Sequence, residues 1–437
     1  MTTLMPSTQI SFDEAGFKTV LDTHTEPSWL TELRQEAWKT FNELEWPNNR
    51  QEEWMRTDIR MFKLDKFALK SDSSSAGLPE LVLSDGVDLA GSVSSLDSQA
   101  GSAAELAAEY QEKGVIFGTI SDLIGEHGDL IKKYLFQAVD FKTDRFAALH
   151  AAMWTNSVFL YVPRNVVLDK PVHVSSQLTD GGSDLRHTLI VIEEGAEATV
   201  LAESNSNADA NGFHCGAIEL FVGDRANLRY VNLQDWGQKV WHFAHQKAIV
   251  GRDSNLQWTV GALGSKLAKV NQHVALRGDR ANVQVNGAIF TENRQHLSYH
   301  TLQHHENPDC TSDFLYKSAL QDSSRTVWRG MIEVDNAAQR TDGYQRNDNL
   351  ILSEKARADS IPGLEIEADD VRCTHGSTSG RVDEELIFYA QCRGFTRKEA
   401  VRAVVTGFFQ QVFDRIAIES VREALALAIA RRVRDYV

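Results

Sequence analysis

The apolar positions of the chain change their spacing twice, and each spacing predicts a different kind of secondary structure. Between Trp29 and Phe41, apolar residues recur every three or four positions, which is the period of an amphipathic helix. Pro27 fits the start of this helix because its φ angle is already fixed. Trp46-Pro47 indicates a stop and a turn. The first part of the chain is therefore expected to be helical.

Two stretches of small and polar residues follow this helical region. Residues 71–77 and 90–102 are rich in Ser, Gly, Asp and Ala, and they predict loops with little to bury. A helical pattern resumes between Ala103 and Leu149. We expect residues 1–150 to form an N-terminal, mostly helical domain with Ser- and Gly-rich loops.

Short runs rich in Val, Ile, Leu and Phe begin after Trp154 and predict β-strands. The runs are Val158–Val162, Thr188–Ile192, Ala217–Val222, Gln246–Val250 and Val274–Leu276. Similar turns follow them, and their glycines are 28, 28 and 27 residues apart, at Gly195, Gly223, Gly251 and Gly278. A fixed period of this length indicates stacked units of strand, turn and strand.

The favoured interpretation of residues 151–380 is a parallel β-helix, or β-solenoid. Helical patterns are missing between the strands, which argues against a βαβ array. Glycine suits the corners because it accepts a positive φ without steric cost. The end turns of such a body need a cap or another subunit, because open strand edges invite pairing. An antiparallel sandwich whose turn signals recur by chance is the alternative.

The helical spacing returns after residue 380, and residues 381–437 predict a C-terminal helical domain. Asp383 opens a helix that stops at Gly394. A capping box at residues 396–399 precedes a wide apolar stripe, and a second box at residues 420–423 precedes the last helix. The fold class is thus mainly β, with a solenoid core between two helical domains.

The charge of the 437 residues is unevenly spread. The formal net charge is −16, yet residues 393–437 contain nine Lys or Arg and five Asp or Glu, a local +4 against −20 for the rest. The overall acidity argues against nucleic acid and anionic membranes as partners, because both are polyanions. An acidic body therefore contrasts with a basic C-terminal end.

Other features narrow the location and the chemistry. Residues 1–11 lack the pattern of a signal peptide, and the apolar run Ala424–Ala430 is too short to span a bilayer. Four cysteines without a C-x-x-C pair do not predict a disulfide framework, so we expect a cytoplasmic protein with reduced thiols. Residues 261–266 have the wrong spacing for a phosphate-binding loop, so the chain is not expected to hydrolyse ATP through such a loop by itself.

Two groups of residues could carry metal chemistry. His296, His300 and His304 would share one face of a strand, which makes a metal site conceivable, although the strand period alone explains their spacing. Cys373 and His375 are two residues apart and would also share a face. A thiolate and an imidazole suit iron–sulfur or zinc chemistry. Two ligands are too few, so either a second chain supplies the others or the pair is structural.

The sequence around this pair resembles a known family. Five strings carry the resemblance: Pro362–Gly376 with Cys373-Thr-His375, Asp383–Tyr389, Arg393-Gly394, Arg325–Val334 and Asn349–Ser353. They are closely similar to the SufD branch of the SufB/SufD family, which belongs to the SUF machinery for iron–sulfur cluster assembly. The resemblance is strong from Cys310 onward, looser over the solenoid and weak in the N-terminal third.

The resemblance implies a right-handed parallel β-helix between two helical domains. It implies pairing with the paralogue SufB through the β-helix ends, with a homodimer possible in isolation. It also implies a transient iron–sulfur cluster at the paralogue interface. The interface histidine of the family falls on His375 and the neighbouring cysteine on Cys373. Whether a flavin participates stays open.

The ATPase SufC is implied to dock on the C-terminal helices. We expect Arg397, Lys398 and Arg402 to be candidate contacts, since they lie beside the apolar stripe. A SufB-type scaffold is the nearest alternative, but SufB typically has His-Glu-Ala where this chain has His375-Gly376-Ser377.

Two alternatives from other classes remain. Parallel β-helices also host polysaccharide lyases and hydrolases, for which Glu193, Glu194 and Asp224 would be the candidate carboxylates. The histidines at 296, 300 and 304 would instead make a zinc protein, which would purify with stoichiometric metal.

Overall fold

The computed structural model describes residues 9–70 and 73–433. The N-terminal part contributes five helices within these residues: α1 (Glu14–Thr23), α2 (Ser28–Glu43), α3 (Ala108–Gln111), α4 (Ile120–Tyr134) and α5 (Arg145–Met153). Short strands alternate with them: β1 (Ile10–Ser11), β2 (Ala68–Leu69), β3 (Gly91–Leu96), β4 (Gln99–Ala100), β5 (Glu105–Leu106) and β6 (Ile116–Gly118). Helices and short strands therefore alternate along the N-terminal part of the chain.

The helix expected around residues 29–41 is confirmed as α2. Its buried face carries Leu30, Ala37, Trp38 and Phe41 at helical spacing, and Pro27 precedes it as the N-cap residue. The loop expected at residues 90–102 is wrong, because this stretch contains β3 and β4. β3 alternates buried and half-buried residues and pairs in parallel with a later strand, so tertiary pairing outweighs the weak local preference of its serines.

The solenoid itself is built from the long strands that follow. They are β7 (Asn156–Val162), β8 (Val172–Leu178), β9 (Gly182–Asp184), β10 (Arg186–Ile192), β11 (Glu197–Ser206), β12 (Asn211–Val222), β13 (Asn227–Asp235), β14 (Lys239–Val250), β15 (Asn255–Ala262), β16 (Leu267–Leu276), β17 (Asn282–Thr291), β18 (His296–His305), β19 (Thr311–Leu320), β20 (Arg325–Val334), β21 (Thr341–Ile351), β22 (Arg357–Ile366) and β23 (Val371–Arg381). All five predicted strand runs are confirmed, at greater length.

From β10 onward, successive strands alternate between two sheets and pair in parallel within each, whereas β6 and β4 pair antiparallel with β7 and β3. Sheet I runs in the order β22-β20-β18-β16-β14-β12-β10-β7-β6, and sheet II in the order β23-β21-β19-β17-β15-β13-β11-β8-β3-β4. The register repeats from turn to turn, so that Asn227 lies beside Asn255 and Asn255 beside Asn282. Their side-chain amides form hydrogen bonds of 2.8 and 3.1 Å along the stack. The predicted β-solenoid is therefore confirmed.

The corner glycines have a different role from the one the sequence suggested. Gly195 has a positive φ of 69°, but at the next corner the left-handed residue is Arg225, with a φ of 55°. A Cβ atom on Gly278 would lie 1.9 Å from the backbone nitrogen of Arg252. A Cβ atom on Gly223 would lie 2.9 Å from that of Glu194. These two glycines are required because the backbones of neighbouring turns touch there.

Three apolar cores hold the molecule together. The solenoid interior is filled by alternate residues of both sheets, such as Ile190, Leu220 and Trp258. The outer face of sheet I is covered by the N-terminal helices, and the outer face of sheet II by the C-terminal ones. Fully burying one such aromatic or aliphatic side chain contributes about 1.5–3 kcal/mol.

The C-terminal helices are α6 (Glu384–Gln391), α7 (Arg397–Phe413) and α8 (Glu419–Arg432). The capping box between Thr396 and Glu399 is confirmed at the start of α7. The second predicted box is wrong, because the N-cap residue of α8 is Ile418, without a side-chain cap. In the described part of the chain, none of the helices has the length and apolar character needed to cross a membrane.

The two ends of the solenoid differ. At the amino end, the last strands of the sheets are the short β4 and β6, and Tyr110, Val115 and Phe117 pack into the interior core. At the carboxyl end, every residue of β22 and β23 is half-buried or exposed. Among the described strands, each of these two pairs on one side only. We call this second end the open end.

Candidate functional site

Cys373 and His375 both lie on β23, at the open end of the solenoid. They are opposite Gly343 and Gln345 of β21, whose side of the strand is buried in the interior. Cys373 and His375 therefore line the interior of the last turn, about 7 Å apart along the strand. The two residues lie on the same face of the strand, as their spacing predicts.

The surroundings of Cys373 favour a protonated thiol in the isolated chain. A Cβ atom on Gly343 would lie 3.2 Å from the Cys373 Sγ and 3.3 Å from Ile332 Cγ2, so the glycine leaves room for the sulfur. Partial burial raises the pKa of the Cys373 thiol, and the neighbouring Asp342 carboxylate raises it further. Forming the thiolate at this position therefore needs a compensating positive charge, such as a metal ion.

His375 is exposed at the rim of the open end. The Gln345 side chain on the neighbouring strand donates 2.9 Å to the carbonyl oxygen of Gly363, which joins β21 to β22 across the interior. Within residues 9–70 and 73–433, no group of three or more His, Cys, Asp or Glu side chains is arranged to hold a metal ion. Cys373 and His375 are therefore two ligand-type residues of an incomplete set.

Sequence reasoning missed the apolar residues around this pair. Leu364 and Ile366 of β22 remain 38% and 39% exposed, although they alternate with outward-facing residues as an interior row would. No further turn covers them among the described residues. In the sequence, these two residues follow the ordinary alternation of a strand. They are uncovered because β22 is the last strand of sheet I.

The three histidines at 296, 300 and 304 share the outer face of β18, as their spacing indicates. Neighbouring members are four residues apart on a strand, which is about 13 Å and too far for a shared ion. His304 instead binds Asp335, with 2.9 Å between Nε2 and Oδ1. Among the described residues, no group of three or more His, Cys, Asp or Glu side chains is arranged to hold a metal ion on this face.

The carboxylates considered for a polysaccharide enzyme are engaged in contacts along the corners. Glu194 forms ion pairs with Arg164 and Arg225 on the turns to either side. Asp224 pairs with Arg252 at 3.1 Å. Glu193 accepts a hydrogen bond of 2.9 Å from the Tyr134 hydroxyl. These groups link consecutive turns of the solenoid to each other or to α4.

The docking candidates lie at the start of α7. Arg397 forms a bidentate ion pair with Glu384, with both contacts at 2.8 Å. Lys398 and Arg402 are half-buried. More prominent is an apolar patch on α6 and the turn after it, which consists of the exposed residues Leu386, Phe388, Tyr389 and Phe395. We call it the α6 patch.

The α6 patch had a sequence signal that went unused. Four consecutive apolar residues, 386–389, wrap around a helix, and a helix that packs on one side buries only part of them. In the structure, Ile387 is the buried member of this run.

Comparisons with known proteins agree with this architecture. A sequence model described as "SUF system FeS cluster assembly, SufBD core domain" matches residues 174–408. One described as "SufBD protein N-terminal region" matches residues 15–174. The iron-sulfur cluster assembly protein SufD of Bacillus subtilis is 28% identical over 98% of this chain and 99% of its own length. An iron-sulfur cluster assembly SufBD family protein of Mycobacterium leprae is 33% identical over 66% of this chain and 74% of its own length.

The fold defines the class first: a parallel β-solenoid flanked by helices, with a pair of ligand-type residues at an open end. The matched segments then identify the family, because the core model alone covers more than half of the chain. The chain belongs to the SufBD family of iron–sulfur cluster assembly proteins.

Proposed function

We propose that this chain is a SufD-type scaffold subunit of a SUF assembly complex in the cytoplasm. The observation that carries the proposal is the open end, where Cys373 and His375 lie beside the exposed Leu364 and Ile366. A SufB-like paralogue stacks on β22 and β23 and converts both open edges into paired strands. The similarity to a protein named SufD, together with Gly376 after the histidine, supports the SufD type over the SufB type.

In this proposal the nascent iron–sulfur cluster is the cargo of the complex and forms at the paired ends. One ring nitrogen of the neutral His375 imidazole ligates iron, and Cys373 binds transiently once the metal displaces its proton. The paralogue contributes the remaining ligands, because a closed cluster site uses about four. The chain is thus a scaffold without catalysis of its own.

The test compares His375→Ala with Thr374→Ala in the complete complex. Both residues are exposed neighbours on β23, but their side chains lie on opposite strand faces. We expect both variants to assemble with the paralogue and the ATPase. Cluster formation, followed by visible absorbance and by iron and sulfide analysis, should be lost only in His375→Ala. Equal cluster yields in the two variants would refute the ligand role.

We further propose that a SufC-like ATPase docks on the C-terminal helices. The α6 patch supplies the apolar centre of the contact, and Arg397, Lys398 and Arg402 contribute basic side chains from the start of α7, where Arg397 pairs with Glu384 of α6. Aromatic residues at the centre of an interface commonly dominate its affinity, while charges at the rim contribute less. We therefore expect Phe388 to matter more than any one of the three basic residues.

The docking test uses substitutions rather than truncation. Removing residues 395–437 would uncover Val231, Leu233 and Leu315 of sheet II, which pack against α7 and α8. A Leu386→Ser/Phe388→Ser double variant keeps that packing and should lose co-purification of the ATPase. Leu427→Ser, at an equally exposed position on α8, is the matched control and should retain it. Retention by the double variant would place the docking site elsewhere.

A further inference from the structure

Another cavity lies on the outer face of sheet I, at its contact with the N-terminal part. It has a volume of about 300 Å³, within the size range of sites for small molecules. Residues 138–143 and Glu53 form one wall, and outward-facing residues of β14, β16, β18 and β20 form the floor. Neither His375 nor the α6 patch contributes to it. We call it the sheet I cleft.

Among the described residues, only one of the two basic side chains on the floor of the cleft forms an ion pair. Lys247 and Arg329 both line the cleft. The only partner recorded for Arg329 among the described residues is the exposed Glu52, at 2.9 Å. Lys247 has no ion pair or hydrogen bond within residues 9–70 and 73–433. Burial, and then the charge of Arg277, lower the pKa of Lys247, and the carboxylates of Glu306, Asp140 and Glu219 oppose this shift without cancelling it.

A third cation lies below the wall. Lys269 is 2% exposed, and its ammonium group donates to the Glu53 carbonyl oxygen at 3.2 Å and lies 5.3 Å from the Trp54 ring centre. An ammonium group has three donors, so one carbonyl leaves it short of acceptors. Burial lowers the pKa of Lys269 to about 7. The carboxylates of Glu53 and Asp144 favour the charged form of Lys269, but burial outweighs them.

Neutral donors complete the floor. The Nε2 atom of His273 is buried and has no hydrogen-bond partner among the described residues. His300 lies between Asn271 and Arg329 on the neighbouring strands, and burial keeps its imidazole neutral by lowering its pKa. A neutral imidazole retains one N–H donor. The two rings therefore add hydrogen-bond donors to the floor beside the basic residues.

The lining also contains three carboxylates, those of Glu53, Asp140 and Glu333. Glu53 and Asp140 are exposed, so water screens their carboxylates. Glu333 is half-buried, and burial raises its pKa. The remaining wall is apolar and includes Val139, Leu302 and Met331. The cleft thus combines an apolar wall with a donor-rich floor that carries Lys247 and Arg329.

We propose that the sheet I cleft binds a small organic molecule with an oxyanion group, such as a phosphate monoester. The oxyanion accepts hydrogen bonds from Lys247, His273 and Arg329, and the organic part packs against Leu302 and Met331. Arg and Lys are the side chains best suited to such an anion. This site is independent of cluster assembly at the open end.

The test uses isothermal titration calorimetry with two probes, inorganic phosphate and phenyl phosphate, on the full chain at constant ionic strength. We expect saturable 1:1 binding of phenyl phosphate, with weaker binding of inorganic phosphate because it cannot contact the apolar wall. Lys247→Met should weaken phenyl phosphate binding about tenfold or more, which is the effect of losing one charge-assisted hydrogen bond. Lys355→Met, at an exposed turn position, is the control and should bind normally.

A second variant separates the two parts of the ligand. Met331→Ala should weaken phenyl phosphate but leave inorganic phosphate unchanged. Thermal unfolding of each variant verifies that it is folded. Absence of saturable binding of both probes to the unaltered chain would overturn the proposal. So would an equal loss of binding in Lys355→Met and Lys247→Met, because that pattern means non-specific attraction by surface charge.

Discussion

The two ends of the solenoid differ in how their interior residues and strand edges are covered. At the amino end, Tyr110, Val115 and Phe117 fill the interior, and the described strands at the sheet edges are the short β4, β5 and β6. At the carboxyl end, the interior row of β22 stays partly exposed at Leu364 and Ile366. A solenoid closes an end with its own chain where it needs no partner. An end left open predicts a partner.

The largest contrast should appear in stability. Phe117→Ala removes a ring that is 8% exposed at the closed end, and it should cost about 3–5 kcal/mol of unfolding free energy. Leu364→Ala, at a side chain already 38% exposed, should cost less than about 1 kcal/mol in the isolated chain. Urea unfolding of both variants measures the difference. Similar losses would mean that the open end is packed in solution.

Acid should destabilise the body of the molecule through its buried histidines. Burial lowers the pKa of His242 to about 3 and that of His150 well below its usual value. The unfolded chain therefore binds more protons than the folded one below about pH 6.5, and stability falls as the pH decreases from there. Each such histidine contributes up to about 1.4 kcal/mol per pH unit.

Unfolding free energies measured between pH 7 and pH 5 check this slope. His242→Gln should flatten it, whereas Leu364→Ala at the open end, which removes no ionisable group, should leave it unchanged. A slope that His242→Gln does not alter would show that other groups dominate the acid response.

The smallest expected effect separates hydrogen bonding from packing at the closed end. The Tyr110 hydroxyl donates 2.7 Å to Asp169, while its ring is fully buried. Tyr110→Phe keeps the ring and should cost about 1 kcal/mol, the usual net contribution of one hydrogen bond. A cost near that of Phe117→Ala would mean that the Asp169 contact, rather than apolar filling, closes this end.

The sequence predicted the repetitive parts of the fold best. The strand runs and the turn period were enough to predict the solenoid, because each turn repeats the same local structure. The stacked Asn227, Asn255 and Asn282 illustrate this repetition. β3 was missed because its pairing with β8 is set by tertiary structure and not by its own residues. The proposed division at residues 150 and 380 stays a prediction, and β3 shows that the solenoid sheets also recruit chain from before residue 150.

The candidate site was predictable in part. The spacing of Cys373 and His375 indicated a shared strand face, because a strand has a period of two. The exposure of Leu364 and the room left by Gly343 depend on which strands come last in each sheet, and no local pattern encodes that. The roles of Arg397, Lys398 and Arg402 stay predictions, and the α6 patch is the stronger candidate.

Hydrogen–deuterium exchange of the chain, alone and with its SufB-like paralogue, tests the role of the open end most directly. We expect the paralogue to slow exchange across β22 and β23, residues 357–366 and 371–381, because their unpaired backbone groups become hydrogen-bonded. Exchange at the closed end, residues 91–106, should stay the same. Protection at residues 91–106, or unchanged exchange in β22 and β23 while the complex forms, would contradict the assignment of the open end as the interface.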